Sequence, residues 1–343
     1  KSENKYLFTE MGVDIIFYPE KIASHEIVDL LKQTGTSEFM EFDKGKLQLI
    51  VFRLEDGAPL IDKTLADFDY LGGDLHYRAV AINRDGETII PRGSTRFKIN
   101  DLVFVISKKE GSREVMKYSG KDNIDIRRLM IIGGGRIGEM VAKKLENTLD
   151  HVRLIEVSKE KCDRLSEILG RTLVINGDGR NTDLLIEQEI SSFDAVVAVT
   201  SSSETNILTC AAAKKMGVLK TIAEVENIEY IKLAEGMGVD SIINKKLITA
   251  SRIFRFTLSN KVQSIKCLNG SDAEVLQFIA NPNSEITRDK MRNLKFPKDA
   301  IIGGVIRGQH SFIAIGDTEI KPYDKVVVFA LPTALTKVNR FFV

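Results

Sequence analysis

The run Gly133-Gly134-Gly135-Arg136-Ile137-Gly138 has the spacing GxGxxG. A turn of this kind supports binding of phosphate or pyrophosphate. Gly133 permits the sharp strand-to-helix turn, Gly135 lets the backbone come close to the anion, and Gly138 lets the helix pack tightly on the strand. The free N–H groups and partial positive charge at a helix N-terminus favour the anion. Arg136 can add a charge-assisted contact. Glu156 stands 23 positions after Gly133, at the end of the next apolar run. A carboxylate there accepts hydrogen bonds from ribose hydroxyls and repels a 2′-phosphate, which favours NAD or an adenine nucleotide over NADP. Lys159 is close enough in sequence to blur that preference. Asp178, Thr200, Ser201 and Glu224 stand at further predicted strand ends. Each also reads as an ordinary polar loop or capping residue, and Asp178 and Thr200 are the better placed.

The elements that must carry these residues follow from apolar periodicity. Leu129–Ile132 is a continuous apolar run, as in a buried parallel strand, and residues 137–147 have helical spacing. Strands are predicted again at Val152–Val157, Thr172–Ile175, Ala195–Thr200, Thr221–Val225 and Ser241–Ile243, with helices between them. This alternation predicts an α/β fold, a Rossmann-like doubly wound parallel sheet over residues 126–258. Residues 25–118 and 259–343 read differently. Short β-rich runs such as Leu47–Phe52, Tyr77–Ile82, Glu274–Ile279 and Val326–Phe329 are separated by turn signals, and two small α+β domains fit. Residues 119–125 are polar and aperiodic, as in a linker.

A long-period repeat joins these parts. Met11-Gly12-Val13-Asp14 recurs as Met237-Gly238-Val239-Asp240, a shift of 226, and Leu7 pairs with Leu233. Gly93, Thr95, Asp101 and Val103 match Gly316, Thr318, Asp324 and Val326 at a shift of 223, and Arg84 meets Arg307 in that register. Residues 1–24 then read as the tail of a first nucleotide-binding unit. The expected architecture is a tandem repeat with a truncated first half, cut from a longer polypeptide. Asp62, Asp101, Asp289 and Asp324 read as turn and cap residues.

Composition excludes several classes. A formal net charge of +1 and the absence of a basic, aromatic-laced stripe give no sign of nucleic-acid binding. Three scattered cysteines form no CxxC pair, and four histidines have no zinc-site spacing. No apolar run reaches the ~18 residues that span a bilayer, so any role at a membrane has to pass through a partner protein. Hydride transfer also needs a group that exchanges a proton. His151 precedes the second strand, at the wrong edge of the sheet, and the alternating unit has no other histidine. The nucleotide therefore reads as a signal rather than a reagent. The alternative is an NAD-dependent oxidoreductase with the β-rich unit as its substrate domain, and a third reading is an assembly module with a degenerate site.

The strings Gly133–Gly138, Asn176-Gly177-Asp178-Gly179 and Val199-Thr200-Ser201-Ser202-Ser203-Glu204-Thr205-Asn206 resemble the RCK (TrkA-N) domain. The β-rich unit with Pro91-Arg92-Gly93-Ser94-Thr95 and Asp101 resembles the TrkA-C domain that accompanies it. The resemblance implies NAD/NADH or ATP/ADP contacts at Gly133, Gly134, Gly135, Arg136, Ile137, Glu156, Thr200, Ser201 and Glu224. At Glu224 the sequence departs from similar proteins, which carry a basic residue near that place. It further implies a regulatory, non-enzymatic, cytoplasmic subunit that forms a homo-oligomeric ring. Such a ring lies at the inner face of the membrane, held there by a TrkH/TrkG-like potassium-translocating subunit.

Overall fold

A computed structural model describes residues 10–13, 16–33, 35–70, 75–120, 125–257, 262–267 and 273–342. Leu7, Asp14 and the linker residues 121–124 lie outside these. Helix α1 (Pro19–Lys32) precedes the small domains. The first α+β domain follows, with β1 (Glu38–Phe42), β2 (Leu47–Arg53), α2 (Leu65–Tyr70), β3 (Tyr77–Arg84), β4 (Glu87–Ile89), β5 (Leu102–Lys108) and α3 (Ser112–Tyr118). The alternating unit contains β6 (Arg128–Ile132), α4 (Arg136–Leu145), β7 (His151–Glu156), α5 (Lys159–Ile168), β8 (Leu173–Asn176), α6 (Thr182–Glu187), β9 (Ala195–Ala198), α7 (Ser203–Lys215), β10 (Lys220–Glu224), α8 (Glu229–Gly236), β11 (Ser241–Ile243) and α9 (Lys245–Thr257). The second α+β domain has β12 (Val262–Cys267), β13 (Glu274–Ile279), β14 (Ala300–Arg307), β15 (His310–Ile313), β16 (Lys325–Ala330) and α10 (Leu335–Phe341).

The alternating unit forms one six-stranded parallel sheet in the order β11-β10-β9-β6-β7-β8. The order reverses between β6 and β9, and that switch point opens a crevice beyond the carboxyl ends of the strands. Alternate residues of β6 serve opposite faces. Leu129 and Ile131 join a core with Val141 of α4, Leu165 of α5 and Ile27 of α1. Met130 and Ile132 join a second core with Leu185 of α6, Ile207 of α7 and Ile231 of α8. Helices on both faces explain why the strands read as unbroken apolar runs.

The repeat is visible as geometry. Both small domains are five-stranded antiparallel sheets of matching order, β1-β2-β5-β3-β4 and β12-β13-β16-β14-β15. Each carries a bulge at the equivalent place, between Ala79 and Ala81 and between Ile302 and Gly304. The two sheets pack against each other through Phe42, Leu47, Val80, Phe104 and Ile106 on one side and Val275, Ile306, Ile313, Val327 and Phe329 on the other. Close approach needs glycine here, because a Cβ on Gly303 would lie 2.6 Å from Ile106 Cγ1. Arg78 also donates across this interface to the Ala314 carbonyl at 2.6 Å. α1 and α9 occupy matching positions in the repeat and pack against each other, and α1 lies along α4 as well.

Asp101 and Asp324 do more than the turn role their sequence suggests. Asp101 accepts the Lys98 amide at 2.7 Å, as a turn residue should, but it also receives Arg84 Nε and Nη2, each at 2.8 Å. Asp324 accepts the Lys321 amide at 2.8 Å and binds Arg307 through two oxygens. Each arginine additionally caps a carbonyl, Arg96 or Glu319, at 2.8 Å. Asp101 is 0% exposed, and that guanidinium is its ion-pair partner. Arg84→Met should destabilise the first α+β domain by about 3 kcal/mol, because it strands a buried carboxylate. Chemical denaturation reads this directly, and an unchanged midpoint would contradict it.

Candidate functional site

The glycine turn sits at the carboxyl end of β6, beside the switch point. Gly133 has φ +109 and donates its N–H to the Ile155 carbonyl at 2.8 Å. A Cβ there would lie 2.9 Å from the Val199 and Thr200 backbone, so glycine is required by conformation and by space. At Gly138 a Cβ would lie 2.0 Å from the Gly133 carbonyl oxygen, so this glycine lets α4 close on the turn. Gly135 is different. Its φ is −70, and nothing lies within 4 Å of the position its Cβ would take. The outer side of the turn is open at the residue that caps α4, whose first backbone bond is Glu139 N–H to Gly135 O at 2.9 Å.

Gly134 packs inward, where a Cβ would meet Leu165 Cδ1 at 2.6 Å. Its N–H donates to Glu156 Oε2 at 2.7 Å, and the Ser158 N–H donates to Glu156 Oε1 at 2.9 Å. Glu156 is 6% exposed and ties the turn to the end of β7. Lys159 does not approach it and pairs with Asp163 at 3.1 Å. The lysine near the Glu156 carboxylate is Lys161, with its Nζ 4.0 Å away.

The other strand-end residues are held in three local networks. Asp178 binds the Arg180 guanidinium through both oxygens and accepts the Arg180 amide at 2.9 Å, and the Arg180 side-chain hydrogen bond keeps its carboxyl below the usual range. Thr200 gives its N–H and hydroxyl to Asn206 Oδ1 at 2.9 and 2.7 Å. Asn206 returns its amide group to the carbonyls of Thr200 and Glu224, at 3.1 and 2.9 Å. This buried residue of α7 joins the ends of β9 and β10 beside the glycine turn, a role that its place in the Thr200–Asn206 string did not disclose. Ser201 is exposed. Glu224 is buried and ion-paired with Lys245 at 2.7 Å, and Glu226 shares that lysine at 3.0 Å. Burial pushes the Glu224 carboxyl up, Lys245 opposes the rise, and the Glu226 and Glu20 carboxylates add to it. Lys245 of α9 thus places a cation at the end of β10.

The side chain of Ile137 belongs to the core, at 4% exposure, so this residue offers a ligand only its backbone N–H. The side chain of Arg136 is 74% exposed and meets Glu20 Oε1 of α1 at 3.3 Å. The glycine turn, Glu156, Thr200, Asn206 and the Glu224–Lys245 pair thus all line the carboxyl edge of the sheet. A small cleft lined by residues including Arg53, Glu235 and Ser241 lies at the opposite, amino edge, against the first α+β domain.

The TrkA-N domain family matches residues 129–245, and the TrkA-C domain family matches residues 49–120 and 275–343. Trk system potassium uptake protein TrkA homolog 1 of Methanosarcina mazei is 31% identical over 334 residues, covering 97% of this chain and 74% of that protein. The chain belongs to the TrkA family. A TrkA homolog of Archaeoglobus fulgidus is 32% identical over 332 residues, covering 97% of this chain and 74% of its own. The TrkA protein of Halomonas elongata is 30% identical over 334 residues, with 96% and 73% covered. The crystal structure of the GsuK RCK domain shares the fold at a TM-score of 0.53 and 15% identity, covering all of this chain and 73% of that one. The GsuK channel bound to NAD aligns at a TM-score of 0.50 and 14% identity, covering all of this chain and 61% of that one. The TrkA-N match spans the parallel sheet from β6 to the first residue of α9, and the TrkA-C matches fall in the two antiparallel domains.

The glycines separate packing from access in a way that can be measured. Gly138→Ala should cost about 3 kcal/mol, through the clash with the Gly133 carbonyl. Gly135→Ala should stay within about 1 kcal/mol, because its Cβ enters open space and only the helix cap is weakened. Thermal melts of the two variants without ligand test this, and equal losses would contradict the assignment.

Proposed function

We propose that this chain is the cytosolic regulatory subunit of a potassium uptake system. It binds NAD(H) or an adenine nucleotide at the glycine turn and passes its ligand state to a TrkH/TrkG-like membrane subunit. The observation that carries this reading is the open turn at Gly135 on α4, with Glu156 fixed beside it, in a chain of the TrkA family. The unpaired N–H groups at the start of α4 face the open side and suit a pyrophosphate. Each Glu156 oxygen accepts one backbone N–H and keeps a lone pair for a ribose hydroxyl. The GsuK channel, which shares the fold, has been solved with NAD. The other contacts assigned to the nucleotide are Gly133, Gly134, Arg136, Ile137, Gly138, Asp178, Thr200, Ser201 and Glu224.

The nucleotide acts here as a signal. It shifts the balance between two conformations of a homo-oligomeric ring by as much as its affinity for them differs. Two observations favour signalling over hydride chemistry. His151 begins β7, at the amino edge of the sheet and away from the turn. Burial of Lys245 works against its charge, but Glu224 and Glu226 outweigh that effect and hold the ammonium above its usual value, which makes it a poor base. Among the described residues no helix is long and apolar enough to cross a membrane.

Ligand-dependent melting with NADH, NADPH, ADP and ATP side by side tests the binding. A ligand at a hundred times its Kd should add about 2.7 kcal/mol of stability. NADPH should be weaker than NADH because Glu156 repels the 2′-phosphate. With the membrane subunit reconstituted, Gly135→Asp should abolish nucleotide-dependent potassium flux. Flux that still responds to nucleotide in that variant would defeat the mechanism.

A further inference from the structure

The two small domains share one topology but carry opposite charge on their outer faces. Their sheets pack against each other, so the long loop after the second strand of each domain lies on the far side. Leu65 and Phe68 anchor it in one core, and Ile286 anchors it in the other. Helices α3 and α10 lie on those same outer sides, through Val115 and Val338. Matching backbone bonds fix the register of the loops. Leu65 and Ala66 donate to the Thr95 and Gly93 carbonyls, and Met291 and Arg292 donate to those of Thr318 and Gly316. In that register Asp62 stands where Arg288 stands, and Asp69 where Lys295 stands. α3 and α10 align residue for residue, which sets Glu114 against Lys337. Between β2 and β3 the chain has six acidic residues and one lysine, and between β13 and β14 it has five basic residues and three acidic ones. The cations of the second domain form one patch. Phe296, between Lys295 and Lys298, packs edge-on against Phe341 of α10 at 5.2 Å. Lys337 and Arg340 occupy the exposed side of α10, and Arg288 follows a turn that also touches this helix. Lys290 and Arg292 pair with Asp317 at 3.6 and 2.6 Å. Arg288, Lys295, Lys298, Lys337 and Arg340 are exposed and have no ion pair among the described residues. On the first domain Glu55, Asp56, Asp62 and Asp67 are exposed, and Lys63 and Arg96 are the cations that act on Asp67.

We propose that the basic face of the second small domain docks on the acidic face of the first small domain of another copy of this chain. The contact does not depend on the nucleotide reading. Neither sign of charge is needed for the fold, since each domain forms with its own. The two faces look in opposite directions, so one chain cannot join its own pair, whereas two chains can meet head to tail. Two basic faces repel each other, as do two acidic ones, so the inversion makes the head-to-tail arrangement the attractive one. A contact of this kind repeats from copy to copy, and its rotation decides whether it closes a ring or extends a row. Each exposed ion pair contributes little, so the strength of the contact lies in the number of charges that meet at once.

Sedimentation velocity of the whole chain over a concentration series, at about 50 mM and about 500 mM salt, tests this. The wild type should self-associate at low salt, with an association constant at least about tenfold lower at high salt. Lys295→Asp with Lys337→Glu should weaken association at low salt by at least about tenfold. Asp56→Lys with Asp69→Lys should do the same from the other side. Lys295→Asp, Lys337→Glu and Asp69→Lys each install the residue that the other copy carries at that position, so both variants should keep the wild-type melting temperature. An equal mixture of the two variants brings opposite charges together again and should restore association to within about threefold of the wild type. A wild type that stays monomeric at low salt overturns the proposal, as does a mixture that fails to recover. Equal association of every variant also overturns it, because the contact then lies elsewhere. If the wild type binds phosphatidylglycerol vesicles, and Lys295→Asp with Lys337→Glu abolishes that binding while self-association is unaltered, the basic face belongs to an anionic membrane and the proposal falls.

Discussion

The hydrogen bond from the Gly134 N–H to the Glu156 carboxylate is the constraint on which the rest of the site depends. It joins the end of β6 to the end of β7 and pulls Gly134 under Leu165, which leaves Gly135 as the outermost point of the turn. With that point fixed, Gly138 closes α4 onto the Gly133 carbonyl, and the helix N-terminus faces the crevice at the switch point of the sheet. The interaction is charge-assisted and buried, so it is stronger than an amide–carbonyl bond and would be costly to leave half made. In the proposed function, a ribose that hydrogen-bonds Glu156 would therefore engage a carboxylate already positioned by the glycine turn.

The alternating unit was legible because its strands are buried on both faces. Leu129–Ile132 and Ala195–Ala198 are unbroken apolar runs, and such runs announce themselves without a partner. The edge strands β1, β4 and β15 are shorter or more polar, and their residues gave no equal signal. The glycine roles were legible because each is a local steric demand, although Gly134 packing on Leu165 depends on a helix 31 residues away. Ion pairs were harder to see. Arg84 and Asp101 each had a counterpart in the second copy, but a shared register shows that two positions repeat, not that they touch. Glu20 carried no local signal, because its place beside Arg136 arises from packing of α1 on α4 across 116 residues of sequence.

The repeat gives the chain an internal two-fold character. Two antiparallel sheets of one topology face each other, and α1 and α9 meet at matching positions. The contacts of α1 run to α4 and α9, and the contacts of β1 and β2 continue into the core beneath the parallel sheet. A ligand that reorients the start of α4 therefore acts on a surface already shared with the first half of the chain. The proposed function uses this shared surface as the route from occupancy at the turn to the arrangement of the two domains.

The proposed function requires a nucleotide on the open N-terminus of α4. Amide hydrogen exchange resolved to the peptide covering residues 135–138, with and without saturating NADH, tests it most directly. These amides face the open side of the turn, and a bound pyrophosphate should slow their exchange by at least about tenfold, the effect of ~1.4 kcal/mol of local protection. Unchanged exchange there, with NADH bound and protection appearing elsewhere, would contradict the account.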